Sequence, residues 1–361
     1  MNFSTIIIYI VTIFMALAAL DKIFGNKFGL GKKFDEGFMA MGSLALAMLG
    51  MISLAPVLAK YLGPILIPVY KIFGADPAMF AGTFFANDMG GYPLAMNLAI
   101  THSAGVFAGL IIASTMGATI VFTIPVALGI IPKEDRRFLA LGVLSGMITI
   151  PAGAFIAGIV AGFDIKMILL NLIPVCLMAL LIILGLWKFT EKMILGFDYF
   201  GKFIIGLITF SAAAIIIETL TDLVIIPGLA PLSESLKIIG SITIILAGAY
   251  PMIYIINKLF QKSLMALGKT LGINDKSATG LIASLANNIP MFSMFKDMDN
   301  RGKVINVAFA VSAAFVFGDH LGFTTGINKE MLLPVIVGKL VGGLLAIFVA
   351  QYIYKKTQKN N

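Results

Sequence analysis

Residues 167–187 read MILLNLIPVCLMALLIILGLW, an apolar run broken by one polar residue, Asn171, and by no charge. A run of this length and composition is a candidate transmembrane helix. Reading outward, runs of the same kind recur along the chain, and full spans are expected near residues 3–24, 38–60, 103–131, 138–163, 166–187, 199–225, 237–260, 303–325 and 331–354. The composition agrees. Of 361 residues 59% are hydrophobic and 12% are charged, with a mean hydropathy of +1.00. A soluble domain carries about 25% charged residues. The sequence therefore predicts an all-α, polytopic transmembrane helix bundle.

No Lys or Arg precedes the first apolar run, Ile6 to Leu20, and no small-residue cleavage site follows it, so a retained helix is expected rather than a cleaved leader. The single cysteine, Cys176, lies within an apolar run and is expected to be a small core residue. One thiol builds neither a disulfide framework nor a zinc site. The net charge of +8 would suggest nucleic-acid binding in a soluble protein. Here the basic residues sit in short loops between apolar runs, which points to orientation in a membrane and to lipid as the surroundings.

Residues 61–101 and 261–300 fit no simple span. Gly, Pro, Asn and Asp interrupt both, and each is read as a broken or re-entrant hairpin. Non-helical backbone at membrane depth survives only when buried in protein or lining a cavity. With the N-terminus outside, one side receives most of the Lys and Arg, including Lys32, Lys33, Arg136, Arg137, Lys262, Lys269 and Lys359. The other receives Lys60, Lys71, Lys166, Lys237 and Lys329, and Lys339 falls within the last span. The positive-inside bias then puts the C-terminus in the cytoplasm.

The two halves resemble each other weakly. Gly42-Ser43 recurs as Gly240-Ser241, Lys133-Glu134 as Lys329-Glu330, and Ala86-Asn87 as Ala286-Asn287. This suggests an inverted repeat: a first repeat over 1–163, a linking helix over 164–198, and a second repeat over 199–361. Inverted repeats whose broken helices meet at the midplane are a recurrent transporter design.

Ionisable groups inside apolar runs are costly and mark candidate sites. Asp88 stands in Phe84-Phe85-Ala86-Asn87-Asp88-Met89-Gly90-Gly91-Tyr92-Pro93. A carboxylate, carbonyls freed by Gly90, Gly91 and Pro93, and flanking aromatics suit an ammonium ion. The bland alternative is an Asp that caps the next half-helix. The second hairpin carries Asn287-Asn288-Ile289-Pro290-Met291-Phe292. Its two amides suit a hydroxyl, or serve as loop caps. The candidate substrate-binding set is Asp88, Asn87, Asn287, Asn288, Tyr92, Phe85 and Phe292. Asp319 and His320 are read as lying off the hairpin tips, suited to gating or to a proton relay, or else as a buried local pair. Glu218 is a weaker candidate, and His102 is expected to be solvated. Four GxxxG pairs, Gly105/Gly109, Gly142/Gly146, Gly158/Gly162 and Gly338/Gly342, predict close helix packing.

No phosphate loop, metal-ligand spacing or hydrolase motif is present. No catalytic residue, metal or cofactor is expected, and a homo-oligomer is left open.

Several stretches resemble the EutH family, the ethanolamine permeases of bacterial ethanolamine-utilisation operons. They are Phe38-Met39-Ala40-Met41-Gly42, Asn87-Asp88-Met89-Gly90-Gly91, the run from Ile124 to Ile131, Gly318-Asp319-His320-Leu321-Gly322-Phe323, and Leu285 to Phe292 with its continuation Asp299 to Asn306. The resemblance covers nearly the whole chain. It implies uptake of ethanolamine through the bacterial inner membrane; facilitated diffusion is expected on separate grounds, since a uniporter needs only the substrate gradient and the membrane potential. Two alternatives remain. One is a proton- or sodium-coupled transporter of another small amine or amino acid, working through Asp319 and His320. The other is a membrane subunit of a sodium-pumping complex, with Asp88 on the sodium ion.

Overall fold

A computed structural model describes residues 3–359, apart from the side chains of Phe3, Ser4, Asn257, residues 260–265, Leu267, Lys269 and Lys359. The loop lysines Lys262, Lys269 and Lys359 thus lie outside the described side chains. Among the described residues there is no strand. Among those residues eight helical stretches are long and apolar enough to cross a bilayer, and they overlap eight of the nine expected spans.

The chain begins with helix α1 (Phe3–Ile23), then α2 (Leu30–Ile72). At about 1.5 Å per residue, α2 is roughly 65 Å long. It runs well past the expected 38–60, because the apolar sequence continues through Pro56, Pro64 and Pro68. The first hairpin is correspondingly shorter than 61–101. It consists of α3 (Ala78–Phe84), a tight turn at Asn87–Met89, and α4 (Gly91–Leu98). Next come α5 (His102–Val106), two π-helical stretches (Phe107–Gly117 and Thr119–Thr123) and α6 (Ile124–Ile130), which together form one membrane-length rod. Then α7 (Arg136–Met147) and α8 (Ile150–Val160) follow, and α9 (Ile165–Lys188) is a single uninterrupted helix.

The second half opens with α10 (Thr190–Thr221) and the long α11 (Leu232–Leu271). Its hairpin is α12 (Asp275–Ala286) and α13 (Asn288–Ser293). The expected span 303–325 is not one helix. It is α14 (Asn300–Ala313), an unwound stretch at 314–318, and α15 (Asp319–Ile327). The unwound backbone has a specific partner. Phe315 N donates to Ser284 O and Phe317 N to Leu285 O, both at 3.0 Å. The last carbonyls of α12, which an intact helix would leave orphaned, are thereby satisfied. Finally α16 (Leu332–Lys359) closes the chain.

Helices α2 and α11 pack antiparallel through the centre. Gly37 abuts Ala247, and further along α2 Ser53 Oγ meets Ser235 Oγ near the start of α11 at 3.5 Å. Around this pair, α1 lies against α11 and α10 against α2. The GxxxG glycines let neighbours approach. Cβ atoms at Gly142 and Gly146 would strike Val307 and Val311 of α14, and ones at Gly338 and Gly342 would strike Ala157 and Ser312. Gly162 departs from the expected pattern: nothing packs on it, and it ends α8 with a φ of 72°. A buried ion pair, Lys303 Nζ to Asp135 Oδ1 at 2.7 Å, joins α14 to the turn before α7. The outer faces of α9 and α10 expose Leu180, Leu181, Phe203 and Phe210, the surface a lipid solvent calls for. Cys176 also faces outward on α9, not into the core, because an apolar run in a membrane helix does not say which side meets lipid.

Candidate functional site

Three chain breaks converge in the interior. At the first, Phe85 and Ala86 are extended, and Gly90 turns the chain with φ 90°. A Cβ at Gly90 would come within 2.5 Å of Met51 Cβ, so both conformation and contact demand glycine there. At the second, Asn287 is extended and its side chain accepts from Ile289 N at 2.8 Å, capping α13. The third is the unwound segment before α15. Here Phe315 holds a positive φ of 63°, a strained choice for a bulky residue. Its ring centroid lies 5.1 Å from that of His320 and 5.4 Å from that of Phe122.

The third break changes the position of Asp319 and His320. They do not lie off the hairpin tips. His320 Nε2 is 4.0 Å from Asp88 Oδ1, and Asp319 Oδ1 accepts from the Tyr250 hydroxyl at 3.2 Å. Asp319 and the Lys339 ammonium both act electrostatically on Asp88. Lys339 is 2% exposed and donates to the Ser114 carbonyl in the π-helical stretch. Two carboxylates, an imidazole and an ammonium thus share one buried neighbourhood.

The same region holds polar atoms without partners. Both amide atoms of Asn87, Nδ1 of His320 and the Thr324 hydroxyl are buried and unpaired. Asn288 donates Nδ2–H to Thr123 Oγ1 at 3.0 Å, and its Oδ1 is left unpaired. Buried polar groups are nearly always hydrogen-bonded, and a cluster of exceptions calls for an explanation such as a ligand.

Two cavities approach this cluster. One, of about 410 Å³, is lined by Pro56, Asn87, Asp88, Tyr92, Glu234 and Phe323 among others. The other, of about 510 Å³, is lined by Lys33, Glu36, Tyr250, Tyr254, Asn287 and Pro290 among others. Glu36 and Pro56 on α2, like Tyr254 and Glu234 on α11, are far apart along their helices, roughly 30 Å at 1.5 Å per residue. The cavities are therefore displaced from each other along the bundle. Asp88 faces the first and Tyr250 the second. Between them the polar chain Asp88, His320, Asp319, Tyr250 forms a partition.

Of the sequence candidates, Asn87, Asp88 and Tyr92 line the first cavity and Asn287 the second. Asn288 is wholly buried on Thr123. Phe85 and Phe292 line neither cavity. They are packed in the core beside Phe80 and Phe295, with ring centroids 6.4 and 6.5 Å apart. Glu218 lies towards the end of α10 and lines neither cavity, with one carboxylate oxygen buried and unpaired. His102 is exposed. Sequence reasoning missed Tyr250, Thr123 and above all Lys339. The available signal for Lys339 was a lone cation in the middle of an apolar run, the same signal that singled out Asp88.

The comparisons with known proteins agree with one another. Residues 3–353 match the family model described as "Ethanolamine utilisation protein, EutH". A Listeria monocytogenes protein, "Probable ethanolamine permease EutH", is 59% identical over 100% of this chain and 97% of its own length. The Escherichia coli protein of the same name is 50% identical over 99% of this chain and 97% of its own. A Bacillus subtilis "Uncharacterized protein YxeR" is 48% identical over 98% and 95%. No solved structure matches the chain.

Proposed function

This chain belongs to the EutH family, and we propose that it is a permease carrying ethanolamine, in its ammonium form, into the cytoplasm. The observation that carries this reading is Asp88, a half-buried acid on the wall of a cavity beside the unpaired amide of Asn87. Ethanolamine joins an ammonium to a hydroxyl through two carbons. A dry site must neutralise the ammonium, since an unpaired buried cation is too costly. Asp88 supplies the charge, the Asn87 amide takes the hydroxyl, and the Tyr92 ring covers the carbons. In the alternate state, Asn287 on the far side serves the same hydroxyl as the partition moves.

Alternation is supported by the repeated order of elements. A long helix pair, a broken hairpin, an interrupted rod and a closing helix occur in each half, with α9 between. We take 1–163 and 199–361 as inverted repeats and 164–198 as their link. Transport is downhill. A membrane potential favours inward movement of a cation by about 2.3 kcal/mol per 100 mV. Uptake of labelled ethanolamine into proteoliposomes holding only this protein tests the function. Saturable uptake is expected. Uptake no faster than into protein-free vesicles would instead favour a subunit that works only in a larger complex.

The proposed orientation places the N-terminus outside and the C-terminus in the cytoplasm. With Cys176→Ser as background, a cysteine placed at Lys133 is expected to resist an impermeant thiol reagent in intact cells and to react in inverted vesicles. Labelling from outside would reverse the topology.

The partition predicts a separate effect. Asp319→Asn is expected to weaken ethanolamine binding less than Asp88→Asn does, while slowing turnover more than binding. Tyr250→Phe removes the other half of the same 3.2 Å contact and should act in the same direction. Wild-type rates in both variants between about pH 5 and 8 would reduce the pair to a packing role.

A further inference from the structure

At the end of α16, Arg301, Tyr352, Tyr354, Lys355, Lys356 and Gln358 line a cavity of about 530 Å³ that shares no lining residue with the two substrate cavities. Among the described residues its lining holds three cations and no acid. Four lysines elsewhere are ion-paired: Lys22 with Asp35, Lys33 with Glu36, Lys202 with Asp198 and Lys303 with Asp135. Among the described residues, Arg301, Lys355 and Lys356 form no ion pair and no side-chain hydrogen bond, and the Nε of Arg301 is buried without a partner. A half-buried guanidinium with unmet donors is costly unless an acceptor comes from outside the chain. The geometry suited to it is that of a phosphate, which takes parallel N–H bonds from arginine.

We propose that this cavity binds the phosphate headgroup of an anionic phospholipid. A lipid, and not a free phosphate, is favoured by what adjoins the cavity. Leu345, Phe348 and Tyr352 are exposed along the outer face of α16 at 39%, 67% and 68%. Their spacing lines them up with Lys355 and Lys356 on one side of the helix. An acyl chain lies along the apolar stripe while the headgroup meets the cations. Tyrosine at that level is the usual interfacial residue. Basic pockets between membrane helices on the cytoplasmic side recognise such headgroups, and the orientation proposed above puts this end in the inner leaflet.

The test uses the purified full-length protein in a neutral detergent. Native mass spectrometry follows retention of dioleoyl phosphatidylglycerol against dioleoyl phosphatidylcholine. The wild type is expected to retain the anionic lipid preferentially. The triple variant Arg301→Gln, Lys355→Gln, Lys356→Gln should lose about 100-fold in that affinity, with ethanolamine binding unchanged. If the half-buried Arg301 proves necessary for folding, the double variant Lys355→Gln, Lys356→Gln carries the test, since both side chains are exposed. It should lose at least about tenfold. Equal retention of the two lipids, or full retention by the folded variants, overturns the proposal. Displacement of the lipid by millimolar inorganic phosphate also overturns it, by making the cavity a site for a soluble anion.

Discussion

Asp88→Asn is expected to fold and insert normally, yet to lose saturable ethanolamine uptake at micromolar substrate. The side chain is 16% exposed and lines the first cavity, so the change leaves the shape of the hairpin tip almost intact and removes one charge. Breaking a buried charge pair by removing one partner costs about 3–5 kcal/mol. At about 1.4 kcal/mol per decade, that is a loss of two to three decades in affinity. The neighbours sharpen the effect. Lys339 acts electrostatically on Asp88, so in the Asn variant an incoming ammonium meets the Lys339 side chain with the Asp88 charge gone. Asp88→Glu keeps the charge but lengthens the side chain towards His320, only 4.0 Å away, and should retain part of the affinity. Calorimetry on purified protein measures all three. Wild-type affinity in the Asn variant would pass the ammonium to Asp319 or Glu218.

Much of this site was legible because glycine, proline and asparagine punctuate an apolar sequence. The first tip declares itself through Gly90, Gly91 and Pro93, and the second through Asn287, Asn288 and Pro290. The third break did not. Residues 313–317 read Ala-Ala-Phe-Val-Phe, which no local rule would unwind. The break is made by tertiary pairing, where the amides of Phe315 and Phe317 find the carbonyls of Ser284 and Leu285. That is also why Asp319 and His320 looked remote from Asp88: in a continuous helix they would sit well along the rod. The direction of an aromatic side chain was equally hidden. Phe85 and Tyr92 flank the same turn, but one enters the core and the other the cavity. Helix ends beyond the bilayer core, as in α2, were unreadable for a further reason. Prolines that would stop a soluble helix are tolerated where neighbours satisfy the freed carbonyls.

Lys339→Met is expected to do the greatest damage to the structure itself. The ammonium is 2% exposed, and its recorded bond is to the Ser114 carbonyl. It acts electrostatically on Asp88, on which Asp319 acts as well. Without it, Asp88 loses its resident cation while the Asp319 carboxylate still acts on it. Like charges so placed cannot both remain ionised cheaply. By the same scale as above, the loss is about 3–5 kcal/mol, enough to unfold many proteins of ordinary stability. A sharply lowered melting temperature and poor recovery from the membrane are the expected readouts. The cause can be isolated with a second substitution. In Lys339→Met/Asp319→Asn one carboxylate is gone as well, so the electrostatic part of the penalty should be relieved and the melting temperature should rise towards that of the wild type. Uptake should return only as far as Asp319→Asn alone permits. If instead the double variant is as unstable as Lys339→Met, the two residues are uncoupled, and Lys339 serves only to satisfy the Ser114 carbonyl of the π-helical stretch. Coupling would mean that the resident ammonium balances one of two acids and that the second is left for the ammonium of the substrate.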